Sequence, residues 1–241
     1  MVDSIAKNTS NPLDFSLGEK SKRIIVHQQD DLLIIHDHLF QDMTPTRFYH
    51  VPANTFLFII TGEIYLQQHR SSSIQDIAEE TNLKKHQGIW LNAGTINSVT
   101  LLTAKAELCL VRLTPTTNTQ FTHPFKRVSS GTVESQQGRN DITVWPLWET
   151  ELGKISLDLY PAKYKETLYY HKTATQYFLP LGGLTLLLAK SRNPAACPSI
   201  GKIIPPKEAV AILNPENQNN IVLSVMTKQH NKGRVHILTR T

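Results

Sequence analysis

Residues 49–62 read YHVPANTFLFIITG, and residues 170–183 read YHKTATQYFLPLGG. Tyr49, His50, Ala53 and Gly62 recur as Tyr170, His171, Ala174 and Gly183, each 121 residues further on. Each copy passes from a Tyr-His pair, through a short polar stretch, into an apolar run that ends at a Gly. A period of about half of a 241-residue chain predicts two copies of one domain in tandem. Each half is long enough to bury a core of its own.

Working outward, both halves break into short runs rich in Ile, Val, Leu, Phe and Tyr, separated by Gly, Asn, Pro and Asp. In the first half these are 24–27, 32–40, 47–51, 55–60, 63–68, 88–91, 98–102 and 107–113. The second half repeats the pattern from Ile142 onward. Such spacing predicts an all-β protein of antiparallel barrels or sandwiches. One stretch differs. In residues 71–87, SSSIQDIAEETNLKKHQ, Ile74, Ile77 and Ala78 have helical spacing behind capping serines, which predicts a short helix inside a long loop. A helix-turn-helix would need a second, basic helix, and GIWLNAG returns to strand instead. The boundaries expected are a polar tail over 1–22, a first barrel over 23–115, a linker over 116–141 and a second barrel over 142–241.

Composition excludes several classes. Hydrophobic residues make up 40% and charged residues 19%, with a net charge of +5. That is ordinary for a globular domain, and the basic residues are scattered rather than clustered, so no nucleic-acid partner is expected. No apolar run approaches a membrane span, and the N-terminus lacks a signal-like core, so a cytoplasmic protein without a membrane partner is expected. Cys109 and Cys197 have neither metal nor redox spacing.

The repeated His-to-Gly stretch is similar to the cupin superfamily, and two copies resemble a bicupin: two tandem jelly-roll barrels. That resemblance implies a divalent metal held by two His and a Glu of a first motif and a His of a second. The ligands transfer poorly. In the first copy the Glu position falls on Thr55, His50 is one His, and Phe48 or Pro52 stands for the other. Asn92-Ala93-Gly94 matches the second motif and puts Asn97 at its His. In the second copy His171 is one His, Gln176 takes the Glu position, and Thr173 or Tyr169 the other His. Aligning Leu213-Asn214 with Leu91-Asn92 sets Asn219 opposite Asn97.

Transition metals want imidazole, carboxylate or thiolate donors, and each copy offers one His beside neutral groups. The expectation is therefore a barrel with degenerate metal motifs and no cofactor, binding a small polar or anionic molecule in its cavity, with a homodimer allowed. The candidate ligand-binding residues are Tyr49, His50, Thr55, Asn97, Tyr170, His171 and Gln176. If a divalent metal binds, its candidate ligands are His50, His171 and Gln176. The alternative is an enzyme, an isomerase, lyase or dioxygenase, with an atypical site around His171 and Gln176 or around His50. His36 and His38, with Asp42 beyond, form a second His-x-His that reads as one solvated face of an edge strand.

Overall fold

The computed structural model describes residues 12–18, 20–29, 31–41, 46–70, 75–113, 122–189, 193–227 and 233–237. The chain divides into two compact units, residues 1–126 and 127–241. Each is a jelly-roll barrel of two facing antiparallel sheets.

In the first unit the longer sheet runs β1 (Leu13–Ser16), β2 (Lys22–Gln29), β3 (Leu32–Phe40), β10 (Lys105–Leu113), β5 (Thr55–Thr61), β8 (Gly88–Leu91). The shorter sheet runs β4 (Thr46–His50), β9 (Ile96–Leu101), β6 (Glu63–His69), β7 (Ile77–Lys84). In the second unit the longer sheet runs β11 (Gln136–Gln137), β12 (Thr143–Thr150), β13 (Gly153–Tyr160), β20 (Asn220–Thr227), β15 (Gln176–Gly182), β18 (Lys202–Ile204). The shorter one runs β21 (Arg234–His236), β14 (Tyr169–His171), β19 (Val210–Leu213), β16 (Leu186–Ala189), β17 (Ala195–Ala196). Apart from β21, the two orders correspond strand for strand.

Irregularities repeat as well. Ladder slips fall between Ile25 and His27 on β2 and between Pro146 and Trp148 on β12. Others fall between Ile59 and Thr61 on β5 and between Pro180 and Gly182 on β15. A bulge re-aims a strand at one defined point, so shared positions mark one architecture built twice.

Alternation sorts the side chains. In the first barrel Leu39, Leu57, Ile59, Ile64, Leu66, Ile89, Val99 and Leu108 meet inside. In the second, Tyr160, Tyr169, Phe178, Ile204, Val210, Ile212 and Val222 do so. The opposite faces of the longer sheets are buried too: Ile34, Phe56, Phe58 and Val111 in one, Ile155, Leu157, Leu179 and Val225 in the other. A strand buried on both faces needs a continuous apolar run, which is why TFLFII does not alternate.

Several expectations change. The helix expected in 71–87 is replaced by strand β7, which pairs with β6 from Glu63↔Lys84 to His69↔Ile77; residues 71–74 lie outside the described set. Pairing with an existing strand edge overrides the local helical spacing. Within the stretch read as a tail, Leu13–Ser16 pairs with β2, while residues 1–11 lie outside the described set. Within the expected linker, Gln136–Gln137 pairs with β12. The alignment of Leu213 with Leu91 is also corrected. Leu91 pairs with Thr55 on β5, and Ile204 pairs with Gln176 on β15, so Ile204 holds that place. Leu213 belongs instead to β19, and Asn219 lies outside the strands, where its Oδ1 accepts from Ala162 N. Among the described residues no helix is long and apolar enough to cross a membrane.

Gly62 and Gly183 end β5 and follow β15 with φ of +81° and +75°. A Cβ on Gly62 would strike backbone atoms of Lys105 and Ala106; one on Gly183 would strike the Asn220 and Glu216 side chains. Gly62→Ala and Gly183→Ala are each expected to lose about 1–3 kcal/mol in urea unfolding. Gly62→Ala should lose more, because backbone cannot step aside.

Candidate functional site

A slip of one residue decides which repeated side chains enter the barrels. Tyr49 belongs to the first interior core and pairs with Asn97. In the second barrel the interior residue is Tyr169, which pairs with Val210. Tyr170 is turned to the other face, against Leu168, Ala209 and Ala211. His50 is therefore on the outer face of its barrel and exposed, and Val51 takes the interior place. His171 is on the inner side and buried, its ring edge-on to Tyr169 at 5.6 Å. The repeated Tyr-His pairs thus point in opposite senses, and neither His50 nor Tyr170 lines a barrel interior.

The first interior is built around Asp37 on β3. The carboxylate is fully buried. Arg23, its neighbour across β2, donates from Nε to Oδ1 at 2.8 Å and from Nη2 to Oδ2 at 2.7 Å. The Tyr49 hydroxyl donates to Oδ2 at 2.8 Å. Burial, then the Asp37 charge, pushes the Tyr49 phenol well above its ordinary value. Three hydrogen bonds to one carboxylate, two of them a guanidinium fork, leave it satisfied and closed. Thr55 Oγ1 donates to Ala53 O at 2.8 Å. Asn97 donates to Thr95 Oγ1 at 3.0 Å and accepts from Gln68 Nε2 at 3.4 Å.

The second interior carries an acid in the same place. Asp158 stands on β13 as Asp37 does on β3, again 121 residues on, but its neighbour across the ladder is Val144 instead of an arginine. Ser156 Oγ donates to Asp158 Oδ1 at 2.8 Å, and Ser224 faces Ser156 from β20. Asp158 is half-buried, with Val144 beside it across one ladder and Val222 across the other. Burial raises it from 3.8 to about 6 against the weaker pull of Ser156 and Lys154. Around it lie Tyr160, Tyr164 and Tyr169, all with phenols pushed up chiefly by burial, Tyr164 to about 12. Tyr169 donates to Gln176 Oε1 at 3.2 Å.

Glu166 closes the far side. It pairs with Arg234 of β21, whose guanidinium lies 3.5 Å over the Tyr169 ring. Glu166 Oε2 also accepts from Ile212 N at 3.2 Å. Burial outweighs the Arg234 charge and leaves the Glu166 carboxyl above its ordinary value. Asp158 lies 121 residues after Asp37, the one sequence signal that could have found it; Ser156 and Ser224 carry no such signal. Arg234 and Glu166 meet across 68 residues with no local signal.

His36 and His38 take the outer face of the first barrel's longer sheet. The strand carrying them is central, flanked by β2 and β10, so it is not the solvated edge expected. His36 is buried, and burial, then His38, lowers it to about 3. His38 Nδ1 lies 3.6 Å from Glu107. Asp42 lies outside the described residues. His50 is on the other sheet. Neither Cys109 nor Cys197 is in a disulfide, and burial pushes the Cys197 thiol up to about 12.

Solved structures with this architecture are numerous. AerE from Microcystis aeruginosa superposes with a TM-score of 0.69 at 11% identity, over 90% of this chain and 97% of that one. Oxalate decarboxylase of Lactobacillus farciminis, in a formate complex, gives 0.67 at 10% over 95% and 87%. The E162A mutant of Bacillus subtilis oxalate decarboxylase OxdC gives 0.65 at 9% over 95% and 78%. No family model matches the sequence, and no curated protein matches it. Identities this low speak to the fold alone, and the fold is of the cupin type: two tandem jelly-roll barrels.

The cupin resemblance implies a divalent metal, and the interior donors do not fit one. The paired positions at the end of β4 are Tyr49 and Val51, and those of β14 are Tyr169 and His171, with Thr55 and Gln176 on the following strands. Among the described residues no group of three or more His, Cys, Asp or Glu is placed to hold a metal ion. One imidazole with phenol and amide neighbours is a poor set for a transition metal.

Two outcomes follow for stability. Arg23→Met strands Asp37 in the core and is expected to cost about 3 kcal/mol in chemical unfolding; adding Asp37→Asn should recover part of that. Asp158 works in the opposite sense. Its folded pKa lies above the unfolded one, so the folded state holds the extra proton, and stability falls as pH rises from about 4 to about 6. Asp158→Asn is expected to raise stability at pH 7 by on the order of 1–2 kcal/mol and to change little at pH 4. Parallel unfolding curves at the two pH values check this.

Proposed function

We propose that this chain is a degenerate bicupin whose second barrel binds a small polar, hydroxyl-bearing molecule. The carrying observation is the exchange of Arg23 for Val144 beside equivalent acids. One barrel neutralises its buried carboxylate, while the other leaves it with Ser156 and, among the described residues, without a guanidinium partner. A protein holds a raised carboxyl at a cost in stability, and such groups concentrate at functional sites. Ser156, Ser224, Gln176 and Asp158 together present donors and acceptors against the apolar walls of Phe178 and Val222, the composition of a small-molecule pocket. Within the polar-or-anionic class, these residues favour a neutral ligand: Asp158 and Glu166 share the interior, Arg234 is committed to Glu166, and Lys154 is paired with Glu149.

An enzyme is the second reading, favoured by one observation. A carboxyl pushed to about 6 is suited to proton transfer near neutral pH, with His171 and Tyr169 in the same barrel. That activity would follow a pH profile set by Asp158, whereas a binding role would show saturation without turnover.

The test is thermal unfolding against a panel of neutral monosaccharides and polyols. Binding should raise the midpoint of the wild-type protein with a saturable dependence. Ser224→Ala should weaken it about fivefold to tenfold, the loss of one hydrogen bond, and Asp158→Ala should weaken it further. A panel without any stabilising compound, or one whose effect survives Asp158→Ala unchanged, overturns the proposal.

A further inference from the structure

We propose that the first barrel has a separate site for a small carboxylate, received by Arg112 at the end where β4, β5, β9 and β10 come together. This goes beyond the polar site of the second barrel and rests on different residues.

The placement follows from register. Ala106, Leu108 and Leu110 of β10 belong to the first interior core, so alternation puts Arg112 on the same inner face. It pairs with Leu33 on β3. The β10–β5 ladder runs to Val111↔Phe56, and its next step sets Arg112 opposite Thr55. The link from Val51 to Thr55 is short, which keeps the end of β4 beside the start of β5. Asn97 pairs with Tyr49 at this end, and Gln68 pairs with Asn97. A guanidinium, a hydroxyl and two amides thus share one end of the barrel interior.

Charge is out of balance there. Arg112 Nε is buried and has no hydrogen-bond partner among the described residues. Asp37, the interior acid on β3, is closed by Arg23 and Tyr49. It is also remote: it pairs with Leu108, four residues back along β10, about 13 Å at the rise of a strand. Glu79 lies opposite Gln68 on the outermost strand of the shorter sheet but is exposed to water. Burial lowers the pKa of Arg112, as expected of a cation partly stripped of water and, among the described residues, without a counter-charge.

A guanidinium whose Nε is buried and unbonded costs stability unless an acceptor satisfies it. The second barrel has Met226 in the same place opposite Gln176 and carries its cation one strand over, on Lys154, which is paired with Glu149 at 3.1 Å. A planar guanidinium fork matches a carboxylate in two hydrogen bonds. The Asn97 and Gln68 amides are suited to the remaining lone pairs. The site therefore takes a small mono- or dicarboxylate.

Thermal unfolding in low-chloride buffer, with sodium acetate or sodium succinate added, tests the site. Sodium sulfate and sodium phosphate at equal ionic strength are the controls. Three proteins are compared: wild type, Arg112→Met, which copies the second barrel, and Asp158→Asn. A carboxylate should raise the wild-type midpoint with saturation in the millimolar range. Half-saturation should weaken at least about tenfold in Arg112→Met and stay unchanged in Asp158→Asn. Without carboxylate, Arg112→Met should unfold no earlier than wild type, so the lost response is not lost folding. Equal shifts in wild type and Arg112→Met, a response to phosphate or sulfate alone, or no carboxylate response would each overturn the proposal. Loss of the response in Asp158→Asn would overturn the separation of the two sites, whatever becomes of the polar ligand.

Discussion

A β-strand offers two faces, and one residue of slip exchanges them. The interiors of both barrels depend on that constraint. Between Asp37 and Tyr49 the first copy has one residue more than the second has between Asp158 and Tyr169. Between Val51 and Thr55 it has one fewer than the second has between His171 and Gln176. The two changes cancel, so the sheets before and after stay in the same repeat while β4 and β14 alone are out of step. The cost to the fold is small, since each strand still presents alternate apolar residues inward. The consequence for chemistry is large. His50 leaves the interior, His171 enters it, and Tyr169, not Tyr170, becomes the partner of Gln176.

The interior acid shows how much one neighbour decides. A buried carboxylate must be hydrogen-bonded, paired or protonated. Asp37 takes the first two routes through Tyr49 and Arg23. Asp158 has a serine and a valine beside it and moves toward the third. The duplicated scaffold holds both, because its closure rests on the apolar layers around them: Leu57, Ile64 and Val99 in one barrel, Phe178, Ile212 and Val222 in the other. Polar centres can therefore diverge without the sheets changing order.

How far this was legible in the sequence differs by level. The all-β class, the tandem repeat and most strands are written in alternating or continuous apolar runs between turn residues, and those signals are local. Strand β7 was hidden, because serines and an Ile-Ala spacing read as helix and only the partner strand β6 makes an extended form favourable. The facing of β4 and β14 was hidden for a subtler reason: matching letters at a fixed offset conceal compensating insertions, and only cross-strand registers reveal them. Asp158 could have been found, since Asp37 recurs at the same 121-residue offset as the Tyr-His motif. Arg23, Arg112, Glu166 and Arg234 could not, because what matters about them is which charges they meet across the barrel.

The two interiors also differ in how their charges are arranged, and that bears on what each would hold. The inner faces of the first barrel carry Arg23 and Arg112 against Asp37. Those of the second carry Asp158 and Glu166, with Arg234 drawn onto Glu166 and Lys154 paired with Glu149. A guanidinium beyond the Asp37 pair in one interior and a raised carboxyl in the other favour different ligands even where shape is shared, because desolvated charge discriminates more strongly than apolar contact. Strand β21 sharpens the difference. It has no counterpart among the described residues of the first barrel, and it brings Arg234 to the Tyr169 ring and to Glu166. The added strand thus supplies a cation that neutralises one acid and leaves the other available.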